Sequence, residues 1–173
     1  MSINQFITYG LIFVVLGVAL TIGGKIISDV KAKMPANSTA LTVADNAISG
    51  LQGLTSWLPL VALAVAGSII LGVVFDVFKV GGNSGGRGRK GEASKFITYG
   101  LVFVILGVSL TIGAKIVEDV KSQITDTNAQ TIATNALQGL SGLTSWLPLV
   151  ALAVAGSIIL AVVFKVFGEG KKQ

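Results

Sequence analysis

Phe6 to Lys31 reads FITYGLIFVVLGVALTIGGKIISDVK, and ninety positions later Phe96 to Lys121 reads FITYGLVFVILGVSLTIGAKIVEDVK, identical at 20 of 26 positions. Gly53 to Leu71 (GLTSWLPLVALAVAGSIIL) then returns letter for letter as Gly142 to Leu160, 89 positions on, so the polar loop of the second copy has lost one residue. The repeat unit is an apolar segment, a polar loop and a second apolar segment, and the chain carries two units in tandem. This divides it into a first repeat over 1–80, a Gly-rich basic linker over 81–95 and a second repeat over 96–173.

The apolar segments are of membrane length. Phe6 to Gly24, Leu58 to Phe75, Phe96 to Ala114 and Leu147 to Phe164 contain no Asp, Glu, Lys, Arg or His. At about 1.5 Å per residue, each covers about the 30 Å hydrocarbon core of a bilayer. Hydrophobic residues make up 52% of the chain and charged residues 12%, with mean hydropathy +0.81, against about 25% charged residues in soluble domains. A buried helical hairpin in a large soluble assembly is the alternative. The segments are too long for single strands and lack the alternation of a lipid-facing barrel. Backbone groups in lipid must pair within the segment, which selects helix. The expected fold is all-α, with four hydrophobic transmembrane-like helices as two tandem hairpins and short amphipathic helices in the loops. A cleavable leader is not expected, because Met1 to Gln5 has no basic residue and the first segment recurs internally.

Each second segment follows an amphipathic stretch. Val43, Ala47, Ile48, Leu51, Leu54 and Trp57 match Ile132, Ala136, Leu137, Leu140, Leu143 and Trp146 in a helical stripe. Pro59 and Pro148 follow closely, predicting a surface helix that turns or kinks at the proline into the membrane. Charge sets the direction. The connector from Asp76 to Lys95 carries net +3 and the tail from Lys165 +2, while the two loops inside the repeats carry +1 and −1. Basic segments stay inside, so the N-terminus, connector and tail are predicted on the cytoplasmic face and both loops outside.

Small residues recur at helical spacing. Gly10, Gly17 and Gly24 are echoed by Gly100, Gly107 and Ala114, and Ala64, Ser68 and Gly72 by Ala153, Ser157 and Ala161. Such rows let helices approach closely in lipid, so these are the candidate helix-packing residues. Reactive chemistry finds no support. The chain has no Cys and no His, which removes thiol nucleophiles, imidazole bases and the usual zinc and haem ligands. Ser68, Ser109 and Ser157 have no general base near them in sequence and read as packing or back-bonded serines. No catalytic residue, metal ligand or cofactor is expected.

The connector has two readings. Gly81, Gly82, Gly85, Gly86 and Gly88 make it a flexible tether. Arg87, Arg89 and Lys90, with Lys171 and Lys172 of the tail, form a cationic set suited to phosphates of lipid or nucleic acid. Asn37-Ser38-Thr39 is an N-glycosylation acceptor triplet in the outer loop, lost from the second copy.

Taken together, the hydrophobic helix with its charged turn, the polar loops Asn37-Ser38-Thr39-Ala40 and Thr127-Asn128-Ala129, the Leu58-Pro59-Leu60 and Leu147-Pro148-Leu149 motifs, and the endings Val77-Phe78-Lys79 and Lys165-Val166-Phe167 resemble the small major capsid proteins of archaeal spindle-shaped viruses. This chain departs from the family in joining two hairpins covalently, where the family commonly uses one. The resemblance implies an abundant shell-forming protein, made in the host membrane and residing in the virion. Its implied partners are copies of itself, membrane lipids and genomic DNA bound on the inner face without sequence readout. Two other classes compete. A rotor-ring proteolipid needs a carboxylate in mid-helix, which neither Leu58 to Phe75 nor Leu147 to Phe164 provides. A holin-like or small transport protein fits the size and predicts polar pore-lining positions, which are scarce.

Overall fold

The computed structural model describes the backbone of residues 3–82 and 89–169, and side chains over 7–68, 70–72, 98, 100–156, 159, 160 and 163. The described residues form five helices: α1 (Ile3–Lys31), α2 (Thr39–Ser56), α3 (Leu58–Gly82), α4 (Arg89–Ser122) and α5 (Thr127–Glu169). No strand occurs among the described residues. Among the described residues four stretches are long and apolar enough to cross a membrane: Ile7–Lys31, Thr39–Gly72, Gly100–Ser122 and Thr127–Gly156. The protein is a multi-pass, membrane-associated helical chain by that criterion.

Helix ends follow local chemistry. The Ser38 side chain caps α2 by accepting from the Leu41 amide at 3.2 Å, and Asp126 Oδ1 caps α5 by accepting from the amides of Asn128 and Ala129 at 2.9 and 3.0 Å. Just before Ser38 the chain needs a left-handed residue, and Asn37 supplies it at φ 64. Where the apolar part of each first helix ends, an i,i+4 ion pair faces water: Lys25–Asp29 at 2.8 Å and its counterpart Lys115–Asp119 at 2.6 Å.

Three features of the helices stand beside the expectations. First, helix extends into both ends of the 81–95 linker, with α3 running to Gly82 and α4 beginning at Arg89. Arg89 to Lys95 (RKGEASK) contains Glu and Ala and one Gly, enough to extend a helix N-terminally. Second, the expected short loop helix is the separate α2 in the first repeat but merges into the 43-residue α5 in the second. The chain breaks at Trp57 in one copy, just before Pro59, yet runs through Pro148 in the other. Third, the apolar stripe of the expected surface helix is turned inward in α5, where Ile132, Ala136, Leu140 and Leu143 are buried and Leu137 and Trp146 partly so. On α2 the inward residues are Ala44, Ile48 and Thr55, while Val43, Leu54 and Trp57 are exposed.

Packing runs mostly between the repeats. α1 lies chiefly along α4, and α3 lies chiefly along α5. Within the first repeat α1 touches α2 more than α3. The first half of α5 forms the centre of the core, with Ala129, Ile132, Ala133 and Ala136 fully enclosed by neighbouring helices.

Candidate functional site

The seam between the repeats is where this chain concentrates specific contacts. Along α1 and α4, a methyl group placed on Gly10 would collide with Leu106, and one on Gly113 with Val14. Along α1 and α5, a Cβ on Gly17 would lie 3.8 Å from Ala136 and one on Gly24 3.0 Å from Ile132. Between α3 and α5, a Cβ on Gly139 would meet Leu58 at 2.9 Å, and one on Gly142 would meet Ala62 at 3.9 Å. The order of these contacts gives the directions: α4 runs parallel to α1, and α5 runs antiparallel to α1 and parallel to α3. Gly10, Gly24, Gly113 and Gly139 each admit a large aliphatic neighbour, which gains dispersion contacts that a side chain on the same residue would exclude, and Gly17 and Gly142 each lie against an alanine.

Polar groups tie the seam where the apolar spans end. Lys31 Nζ, at the last residue of α1, donates to Asp45 of α2 and to Asp126 at the start of α5, both at 2.7 Å. The Lys31 hydrogen bond holds the Asp126 carboxyl below its usual range, reinforced by the Ala129 and Asn128 amides and opposed by partial burial. Further in, Asn135 Nδ2 donates to Thr55 Oγ1 at 3.4 Å, and Thr55 Oγ1 donates to the Gln52 carbonyl at 3.0 Å. Thr21, fully buried, donates to the Gly17 carbonyl at 2.8 Å. Among the described residues no buried side-chain polar atom lacks a partner.

The candidate packing residues divide. Gly10, Gly17 and Gly24 lie in the seam, whereas Gly100 and Gly107 have open space beside them. Ala114 and Ala153 are partly buried and Gly72 is half-exposed; the side chains of Ser157 and Ala161 lie outside the described residues. The row through Ala64 and Ser68 lies outside the seam, both residues being exposed on the chain. The residues of α3 that face inward are Leu58, Ala62 and Ala66. They sit two positions away, which is about 200° around a helix, on the opposite face. Ser68 and Ser109 donate to the Val65 and Ile105 carbonyls at 2.8 Å. Arg87, Lys171 and Lys172 lie outside the described residues; Arg89 and Lys90 open α4, and their side chains lie outside them as well. Asn37 is exposed in the α1–α2 turn.

Sequence reading missed Gly113 and Gly139, single glycines outside the spaced rows, and the Lys31–Asp126 pair, whose partners are 95 residues apart. Only the matching positions, a Lys ending one helix and an Asp capping another, hinted at the pair. An open groove of about 470 Å³ along α5 is lined by Thr134, Leu137, Gln138, Ser141, Gly142 and Ser145. None of these side chains ionises. The groove offers hydrogen bonds but no acid, base or nucleophile activated by one. Comparison with family models, curated proteins and solved structures finds no match to this chain.

Proposed function

We propose that this chain is a self-assembling structural membrane protein without enzymatic activity, the major capsid or envelope protein of a lipid-containing archaeal virus shell. The observation that carries the reading is the seam: a membrane-length helical unit packs predominantly against a second unit of nearly the same sequence. A module that binds its own near-copy is the elementary requirement of a shell. The wide apolar outer surface, including Ile12, Val15, Leu152 and Ile159, suits lipid and further copies. The resemblance of the loop, Leu-Pro-Leu and tail motifs to spindle-virus capsid proteins supplies the viral assignment, with the host membrane as the site of assembly and the virion as destination.

In that setting the connector and tail face the interior. Arg87, Arg89, Lys90, Lys171 and Lys172, repeated over a shell, make a cationic lining for genomic DNA. The test is to express the protein in an archaeal membrane and image the extracted material. Regular arrays or closed lipid-containing shells support the reading; a monodisperse monomer overturns it. A holin-like pore is the second reading, favoured by the stripe of Thr134, Gln138, Ser141 and Ser145 along α5. Small isolated rings that release a vesicle-trapped dye would select it.

A further inference from the structure

The two repeats do not meet as equals. Counterparts stand 90 positions apart in the first helices and 89 in the second. Gly10, however, packs on Leu106 rather than on its counterpart Gly100, and Val14 packs at Gly113 rather than at Val104. Leu58 packs at Gly139 rather than Leu147, and Ala62 at Gly142 rather than Ala151. The offset is six to nine residues on both helix pairs. It has the same direction in space, because the second helices run opposite to the first. The second repeat is therefore parallel to the first and displaced along the helix axes by about 9 to 14 Å at 1.5 Å per residue.

A displaced parallel contact is heterologous: each repeat uses a different face, so one copy of each face stays unused. A closed two-fold contact would pair Leu16 with Gly100 as it pairs Gly10 with Leu106; instead Leu16 is exposed and Gly100 faces open space. The unused faces are defined by counterpart. The first repeat leaves bare the face by which the second is held: Val43 is 61% exposed where Ile132 is 0%, and Leu54 is 62% where Leu143 is 2%. The second repeat leaves bare the face by which the first is held. Val104 is 62% exposed where Val14 is 8%, and Gly107 is open where Gly17 meets Ala136. Polar partners recur as well, since Asn46 and Thr144 stand where Asn135 and Thr55 bond across the seam.

We propose that a second copy of this chain docks its first repeat on the free face of the second repeat through the contacts that already join the two repeats. Copies associate in parallel, head to tail, into an open array rather than a closed pair, with the helix axes tilted from the bilayer normal so that the axial step at each contact keeps every copy in the membrane. The proposal rests on the self-assembly reading and deepens it by naming the face, the partner and the register. Lipid covers these faces until a copy does. The copy wins because its side chains fit beside Gly100 and Gly107 as Leu106 and Ala136 fit beside Gly10 and Gly17.

Cysteine cross-linking of the full chain in membranes tests it, since the chain has no native Cys. Within the chain, a Cβ on Gly24 lies 3.7 Å from Cβ of Ile132, inside the disulfide range. The equivalent pair between copies is Ala114 with Val43. The double variant Ala114→Cys, Val43→Cys should give, on mild oxidation, a reducible ladder running past the dimer. Co-expressed single variants should stop at a dimer, and Gly24→Cys, Ile132→Cys should close within one chain. Gly107→Leu, open in the isolated chain, should keep the helical circular dichroism of the parent and abolish the ladder. Arrays without a ladder overturn this interface and leave the shell reading standing. A ladder without arrays upholds the interface and removes the shell. Neither ladder nor arrays overturns both, and a ladder that survives Gly107→Leu overturns the assigned face.

Discussion

Gly50 and Gly139 occupy the same place in the two repeats, and adding one methyl group to each should have different consequences. Both are interior helical positions, so Gly→Ala gains about 1 kcal/mol from helix propensity at either. At Gly50 the new Cβ meets nothing within 4 Å, and the gain stands. At Gly139 it would lie 2.9 Å from Cβ of Leu58, 3.1 Å from Cζ of Phe13 and 3.3 Å from the Leu58 carbonyl carbon. The Phe13 ring can tilt, but the Leu58 backbone moves only if α3 shifts off α5. Overpacking of this kind costs about 1 to 3 kcal/mol. The propensity gain cancels between the two variants, so Gly139→Ala should be less stable than Gly50→Ala by that overpacking cost, about a 5- to 150-fold difference in the unfolding equilibrium. Unfolding both variants and the parent in mild detergent by titration with a denaturing detergent, followed by circular dichroism, measures it. A Gly139→Ala protein as stable as Gly50→Ala would refute the close approach of α3 and α5 on which the seam depends.

The two prolines should also differ: Pro148→Ala restores an amide donor inside α5 and should stabilise by up to about 3 kcal/mol, whereas Pro59→Ala, in the first turn of α3, should change little; the same titration reads both. Acid should loosen the seam late, because Asp126 titrates below the usual carboxylate value of about 3.9. Its contribution is in full force at neutral pH and is lost as pH falls through that depressed value, so unfolding midpoints should hold from pH 7 to about 5 and drop toward pH 3. Asp126→Asn should remove that acid-dependent step, and an unchanged pH profile in the variant would count against the Lys31 pairing. Glycan on Asn37 should raise the intact mass above the 17.7 kDa polypeptide, and Asn37→Gln should return it to the polypeptide value; a parent protein at the bare mass removes the outer-loop modification.

The all-α fold and membrane-length helices were legible because they depend on local properties: uninterrupted apolar length, backbone pairing within a segment, and repetition. The C-terminus of α1 at Lys31 and the start of α2 after a polar loop followed from similarly local chemistry. Contact residues were only partly legible. Spacing alone places Ala64, Ser68 and Gly72 in as good a row as Leu58, Ala62 and Ala66, because an apolar helix offers no polar face to distinguish outside from inside. The pairing of Lys31 with Asp126, 95 residues apart, had no signal beyond a Lys ending one helix and an Asp capping another.

The nineteen residues of Gly53–Leu71 and Gly142–Leu160 separate the two kinds of information. Their sequences are identical, so whatever differs between them is decided elsewhere. The sequence by itself determined that both are apolar and helix-forming. Tertiary structure decided that Val61 is 43% exposed while Val150 is 2%, that Ala62 is buried while Ala151 is exposed, and that the helix breaks at Trp57 but continues past Trp146. The reason is the displaced packing of two like units: one copy of each surface finds a partner within the chain and the other is left facing outward, an asymmetry that no residue of either repeat encodes alone.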